Sequence, residues 1–70
     1  MTKEKEFILA IREYIRYWDD QDRDSRGKLE GLSHSILVML DGYSGNFDGG
    51  IEDIVDYKGL YHDLLYDKDI

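Results

Sequence analysis

Apolar positions along the first third of the chain recur at spacings of three and four: Phe7, Ile8, Ile11, Tyr14, Ile15 and Trp18. At 100° per residue these gather on one face, which predicts a helix over about 3–20, with Thr2 as its N-cap. The polar stretch 19–25 is rich in aspartate and ends that helix. Its short acidic side chains suit the cap of the next one. A second helix follows over about 25–41, with Leu29, Leu32, Ile36, Leu37, Met39 and Leu40 apolar, and it reads as the most buried element. Gly42 is placed to take the left-handed position that closes it.

Four of the seven glycines then fall within 41–50, which predicts a long glycine-rich loop. Beyond it, Ile51, Ile54, Tyr57, Tyr61, Leu64 and Leu65 share a face and predict a third helix over about 51–67. Gly59 is the weak point of that helix, and the alternative is a start at Asp56, which would cap it. The pattern contains no strand alternation. The expected fold is an all-α, three-helix bundle forming one domain over 1–70.

Gly27, Gly31 and Ser35 lie four apart on one side of the second helix. A helical glycine costs about 1 kcal/mol relative to alanine, so another backbone is expected to approach closely there. The seam lies either between two copies of the chain or against a helix of the same chain. Leu9 and Tyr17 fall off the main stripe of the first helix and are candidate contacts for a partner or second subunit.

Size makes self-association more than incidental. The 70 residues are 41% hydrophobic and 13% aromatic, with a mean hydropathy of -0.58. That composition supports folding, yet a core in a chain this short rarely supplies more than about 3–5 kcal/mol. There is no cysteine for a disulfide, and two histidines alone would not make a zinc site. A homodimer is the remaining staple. No apolar run is long enough to cross a membrane and no secretory leader pattern stands at the start, so the expected location is cytoplasmic.

Charge is distributed unevenly. Residues 1–35 hold 8 acids and 7 bases, whereas residues 36–70 hold 8 acids and 2 bases, which places most of the net charge of -7 in the C-terminal half. On a continuous third helix, Glu52, Asp56, Asp63 and Asp67 would form an acidic stripe about 22 Å long opposite the apolar face. Asp63, Asp67 and Asp69 stand toward the negative end of that helix dipole, where folding does not favour acids. Three uses compete: a solvated face; a surface for a basic protein partner, in its sharpest form an imitation of nucleic-acid phosphates; and an internal match to Lys5, Arg12 and Arg16 of the first helix. The same balance argues against direct nucleic-acid binding, which needs a net basic patch.

Other chemistry is thin. Asn46, Asp48, Gly49, Ile51 and Glu52 match positions of a calcium-binding EF-hand loop beginning at Ser44, but Ser44 and Val55 stand where the first and last carboxylates belong. His34 beside Ser33 and Ser35, and His62 beside Asp63, suggest at most a weak Ser-His-Asp arrangement. No nucleophile elbow, phosphate loop or zinc spacing is present, so no catalytic residue, metal or cofactor is expected. The expected function is a non-enzymatic interaction module, an inhibitor or regulator docking its acidic third helix on a nucleic-acid-handling or defence protein. Its alternatives are a degenerate calcium-responsive module and a purely structural small subunit.

The segments Lys28-Leu29-Glu30-Gly31-Leu32 and Ser35-Ile36-Leu37-Val38-Met39-Leu40-Asp41-Gly42 resemble the central helix of a family of small uncharacterised bacterial proteins with a Glu-Gly-Leu, Ser-Ile-Leu, Leu-Asp-Gly pattern. Gly59-Leu60-Tyr61-His62-Asp63-Leu64-Leu65-Tyr66 is similar to that family's closing helix. The likeness covers under half of the chain, with a shorter segment between the two stretches. It implies a helical fold and no activity.

Overall fold

A computed structural model describes residues 2–55 and 61–70. Helix α1 spans Lys3–Asp19 and α2 spans Ser25–Leu40, a helical hairpin joined by a five-residue connection. A single 3-10 turn covers Ile51–Asp53, and a short helix α3 covers Tyr61–Leu64. No strand occurs among the described residues.

Local chemistry sets the helix ends. Asp24 Oδ1 accepts from the Gly27 amide at 2.8 Å, and Thr2 Oγ1 accepts from the Lys5 amide at a longer 3.4 Å. Both satisfy amides that the first helical turn leaves without partners. At the C-terminus of α2, the Gly42 amide donates to the Met39 carbonyl and the Tyr43 amide to the Val38 carbonyl, both at 3.1 Å. Gly42 has φ +84°, the left-handed geometry this Schellman closure requires.

The core forms where α1, α2 and the glycine-rich segment meet. Phe7, Ile8 and Ala10 of α1, Met39 of α2, Phe47 and Ile54 are its buried apolar residues. Phe47 is only 3% exposed and stands edge-on to Phe7 at 5.4 Å; Tyr61 also meets Phe7 edge-on, at 6.0 Å. Tyr14 and Ser44 share a hydrogen bond of 2.6 Å that ties the same segment to α1. The glycine-rich stretch is therefore a packed wall of the core as well as a connector.

Two expectations are corrected. Helix α2 is not the most buried element: α1 buries three residues, α2 only Ser35 and Met39, and Leu29 and Leu37 of α2 stand exposed. The second correction concerns the third helix. The third helix does not run unbroken over 51–67, because 51–53 is a 3-10 turn and Ile54 and Val55 continue as a turn; among the described residues the helical part beyond them is Tyr61–Leu64. Ile51, assigned to its apolar face, is exposed. Asp56, Tyr57 and Gly59 lie outside the described residues.

Arg12 fastens the C-terminal segment. Its guanidinium donates to the main-chain oxygens of Leu64, Leu65, Asp67 and Ile70 at 2.6–3.1 Å. A planar cation with five donors can serve several main-chain oxygens at once, here the last residue of α3 and three residues beyond it.

Candidate functional site

Trp18 occupies the junction of α1 and α2. Its indole nitrogen donates to Ser35 Oγ at 3.0 Å, and its six-membered ring lies over Gly31 so closely that a Cβ there would come within 2.6 Å of three ring atoms. The Arg23 guanidinium sits 5.4 Å from the ring centroid, and Tyr17 meets the ring edge-on at 5.1 Å. Small residues on α2 thus seat an aromatic side chain of the same chain. Gly31 and Ser35 of the small-residue seam make this contact, while Gly27 faces the side chains of Arg23 and Asp24.

Beside Trp18, an open groove of about 370 Å³ runs between the helices, lined by Ile15, Leu29 and Leu32 with Asp19, Ser25 and Lys28 at its rim. It continues along Ile11, Ile36 and Leu65 into a second, wholly apolar recess of about 300 Å³ that ends at His62. Ile15 is 41% and Leu29 65% exposed. The volumes match the lower end of small-molecule sites, but convergent polar groups that would orient a substrate are missing from the second recess.

The remaining candidates are dispersed. Tyr17 is exposed, with its ring against Trp18. Leu9 is half-buried beside Phe47, lining a shallow recess with Glu6, Ala10 and Glu13, because the glycine-rich segment folds over that side of α1. Glu52 is exposed on the 3-10 turn, whereas Asp63 is exposed on α3 with its carboxylate 3.6 Å from His62. Asp67 accepts from the Asp69 amide at 2.9 Å. Since Glu52 and Asp63 belong to separate elements, the continuous helical stripe is not formed; Asp56 lies outside the described residues.

The expected internal neutralisation also takes another form. Arg12 reaches the C-terminal segment but binds main-chain oxygens instead of side-chain carboxylates, Arg16 pairs with Glu13 at 3.1 Å, and Lys5 makes no ion pair among the described residues. Lys3 is the α1 cation that reaches the acidic half, 4.0 Å from an Asp48 carboxylate oxygen.

Catalytic and metal arrangements find no geometric footing among the described residues. Ser33 Oγ donates to the Leu29 carbonyl, Ser35 accepts from Trp18, and His34 is exposed on α2. Ser44, the first position of the calcium-loop pattern, is engaged by Tyr14 and by the Asn46 amide. No group of three or more His, Asp or Glu side chains is placed to hold a metal ion. No described helix is long and apolar enough to cross a membrane.

Sequence reasoning missed the roles of two residues. Phe47 carried a usable signal, a phenylalanine without a polar tip within a glycine-rich segment. Arg12 was foreseen as a cation reaching the C-terminal segment, but its acceptors, main-chain oxygens more than fifty residues away, carried no signal. The chain matches no protein-family model, no curated protein and no solved structure.

Proposed function

We propose that the chain is a non-enzymatic protein-interaction module that presents the acidic surface of its C-terminal half to a basic partner, as an inhibitor or regulator of a nucleic-acid-handling or defence protein. The observation that carries this reading is the unpaired acids of the C-terminal half: Asp41, Glu52, Asp53 and Asp69 are exposed and form no ion pair among the described residues. Such a surface attracts a cationic partner over a Debye length of about 8–10 Å and selects against other acidic proteins.

The test compares affinity capture from host lysate by the wild type and by a variant carrying Asp41→Asn, Glu52→Gln and Asp69→Asn, after light scattering shows that both have the same native mass. The reading expects a basic protein retained by wild type, released by raised salt and lost with the variant. Equal capture by both proteins overturns it.

A further inference from the structure

We infer that Asp48, and not Asp41, is a site of spontaneous main-chain modification, where the fold leaves an Asp-Gly bond open to conversion into an isoaspartyl linkage. The inference is independent of the acidic surface and rests on the different settings of two identical dipeptides.

The chain holds two Asp-Gly pairs, Asp41-Gly42 and Asp48-Gly49. Such a pair is the least hindered setting for one reaction, because glycine puts no side chain beside the attacking amide. The glycine nitrogen attacks Cγ of the aspartyl carboxyl group and loses its proton, and the carboxyl hydroxyl leaves as water. Water then opens the resulting five-membered succinimide. Opening at the side-chain carbonyl restores aspartate, whereas opening at the main-chain carbonyl leaves the chain running through Cβ as isoaspartate. One water leaves and one returns, so the product has the mass of the starting chain and no oxidant or cofactor is consumed.

At Asp41 the fold opposes the first step. Asp41 caps the C-terminus of α2, and three successive amides are engaged there: Asp41 donates to the Leu37 carbonyl at 2.9 Å, Gly42 to Met39 and Tyr43 to Val38, both at 3.1 Å. The Gly42 nitrogen must leave this closure before it can attack. At the second pair, neither the Asp48 nor the Gly49 amide donates a hydrogen bond among the described residues, and the Asp48 side chain is fully exposed.

Lys3 adds a second distinction. Its ammonium donates to the Asp48 carbonyl oxygen and lies 4.0 Å from Oδ2 of the same residue. That carbonyl shares its peptide unit with the Gly49 nitrogen, and resonance couples the two atoms. A cation on the oxygen therefore draws charge from the nitrogen and eases loss of its proton. The same ammonium is close enough to the carboxyl group to stabilise negative charge that develops on its oxygen as the ring closes.

The modification reaches the core. Phe47 is buried on one side of the pair, and on the other the Gly50 amide is held by Asp53 Oδ2 at 2.9 Å. An isoaspartyl linkage lengthens the main chain by one carbon between these anchors, so one of them must shift and the packing of Phe47 on Phe7 loosens.

The experiment ages the wild type, Lys3→Gln and Lys3→Arg in warm neutral buffer, folded and in urea, with circular dichroism to verify folding. Electron-transfer fragmentation of proteolytic peptides then measures isoaspartate at each position. In the folded wild type, conversion at Asp48 is expected to be about tenfold faster than at Asp41, and in urea the two rates converge, because protection by a folded segment is lost on unfolding. Lys3→Gln slows conversion at Asp48 and leaves Asp41 unchanged, while Lys3→Arg, which keeps the cation, retains the wild-type rate. The form modified at Asp48, separated by ion exchange, melts below the fresh protein. Equal or faster conversion at Asp41 in the folded chain, no conversion at Asp48 when the urea-treated chain converts, or a difference that persists in urea each overturns the proposal. An Asp48 rate unchanged in Lys3→Gln overturns the role assigned to Lys3, and an unchanged melting temperature overturns the link to the core.

Discussion

The Trp18 indole spans α1 and α2 by donating to Ser35 at 3.0 Å while its ring fills the space above Gly31. Hydrogen bond and close approach depend on each other: the ring can reach Ser35 only because Gly31 has no side chain. Serine is in turn small enough to be buried there and polar enough to satisfy the indole N–H.

Gly31→Ala tests that dependence. Alanine improves helix propensity by about 1 kcal/mol, but the new methyl would lie 2.6 Å from the ring, and overpacking of this kind costs about 1–3 kcal/mol. Because the Ser35 bond restrains the indole, the expected net effect is a loss of about 1 kcal/mol in urea denaturation, with a shift in tryptophan emission. Gly27→Ala meets only the side chains of Asp24 and Arg23, at 3.1 and 3.3 Å, and is expected to cost less. Equal effects of the two substitutions would contradict the packing account.

Arg12→Lys retains the charge but not the fork. A lysine ammonium cannot reach four oxygens distributed over residues 64–70, and hydrogen bonds from charged donors are worth about 1.5–3 kcal/mol. The C-terminal segment is expected to lose about 2 kcal/mol of protection, seen as faster amide exchange at Leu65, Tyr66 and Asp67. Amides in the middle of α1 and α2 should change far less, since the hairpin does not depend on this clamp. A uniform increase across the chain would mean that the segment and the hairpin unfold together.

Phe47→Ala addresses the glycine-rich segment. Removing a buried phenylalanine costs about 3–5 kcal/mol, comparable to the whole stability expected of a domain this small. The variant is expected to lose cooperative thermal unfolding in circular dichroism. Retention of a sharp transition near the wild-type temperature would show that the segment contributes little to the core.

The hairpin was legible in the sequence because its signals are local. Three- and four-residue spacing located α1 and α2 to within a residue, and Thr2, Asp24 and Gly42 terminate them through contacts within five positions along the chain. The third element was not legible as built. Ile51, Ile54, Tyr61, Leu64 and Leu65 do fit a helical face, yet Ile54 is buried from a turn and Tyr61 packs on Phe7 from a separate helix. Periodicity records which residues prefer burial and is silent on a break between them, particularly where tertiary anchors such as Phe47 and Arg12 override helical continuity. The acidic stripe failed for the same reason, being a projection onto a helix that is interrupted. The small-residue seam was visible as spacing, but its occupant, Trp18, required the geometry of the hairpin.

Trp18 is the chain's one tryptophan, and it lines the open groove beside Ile15 and Leu29. The molecule therefore carries its own optical probe at that surface. Whatever covers the groove displaces water from the indole and shifts its emission, so occupancy can be followed in the native sequence without a label. Tyr17 and Arg23 flank the same ring, making its spectrum sensitive to the conformation of the connection between α1 and α2 as well.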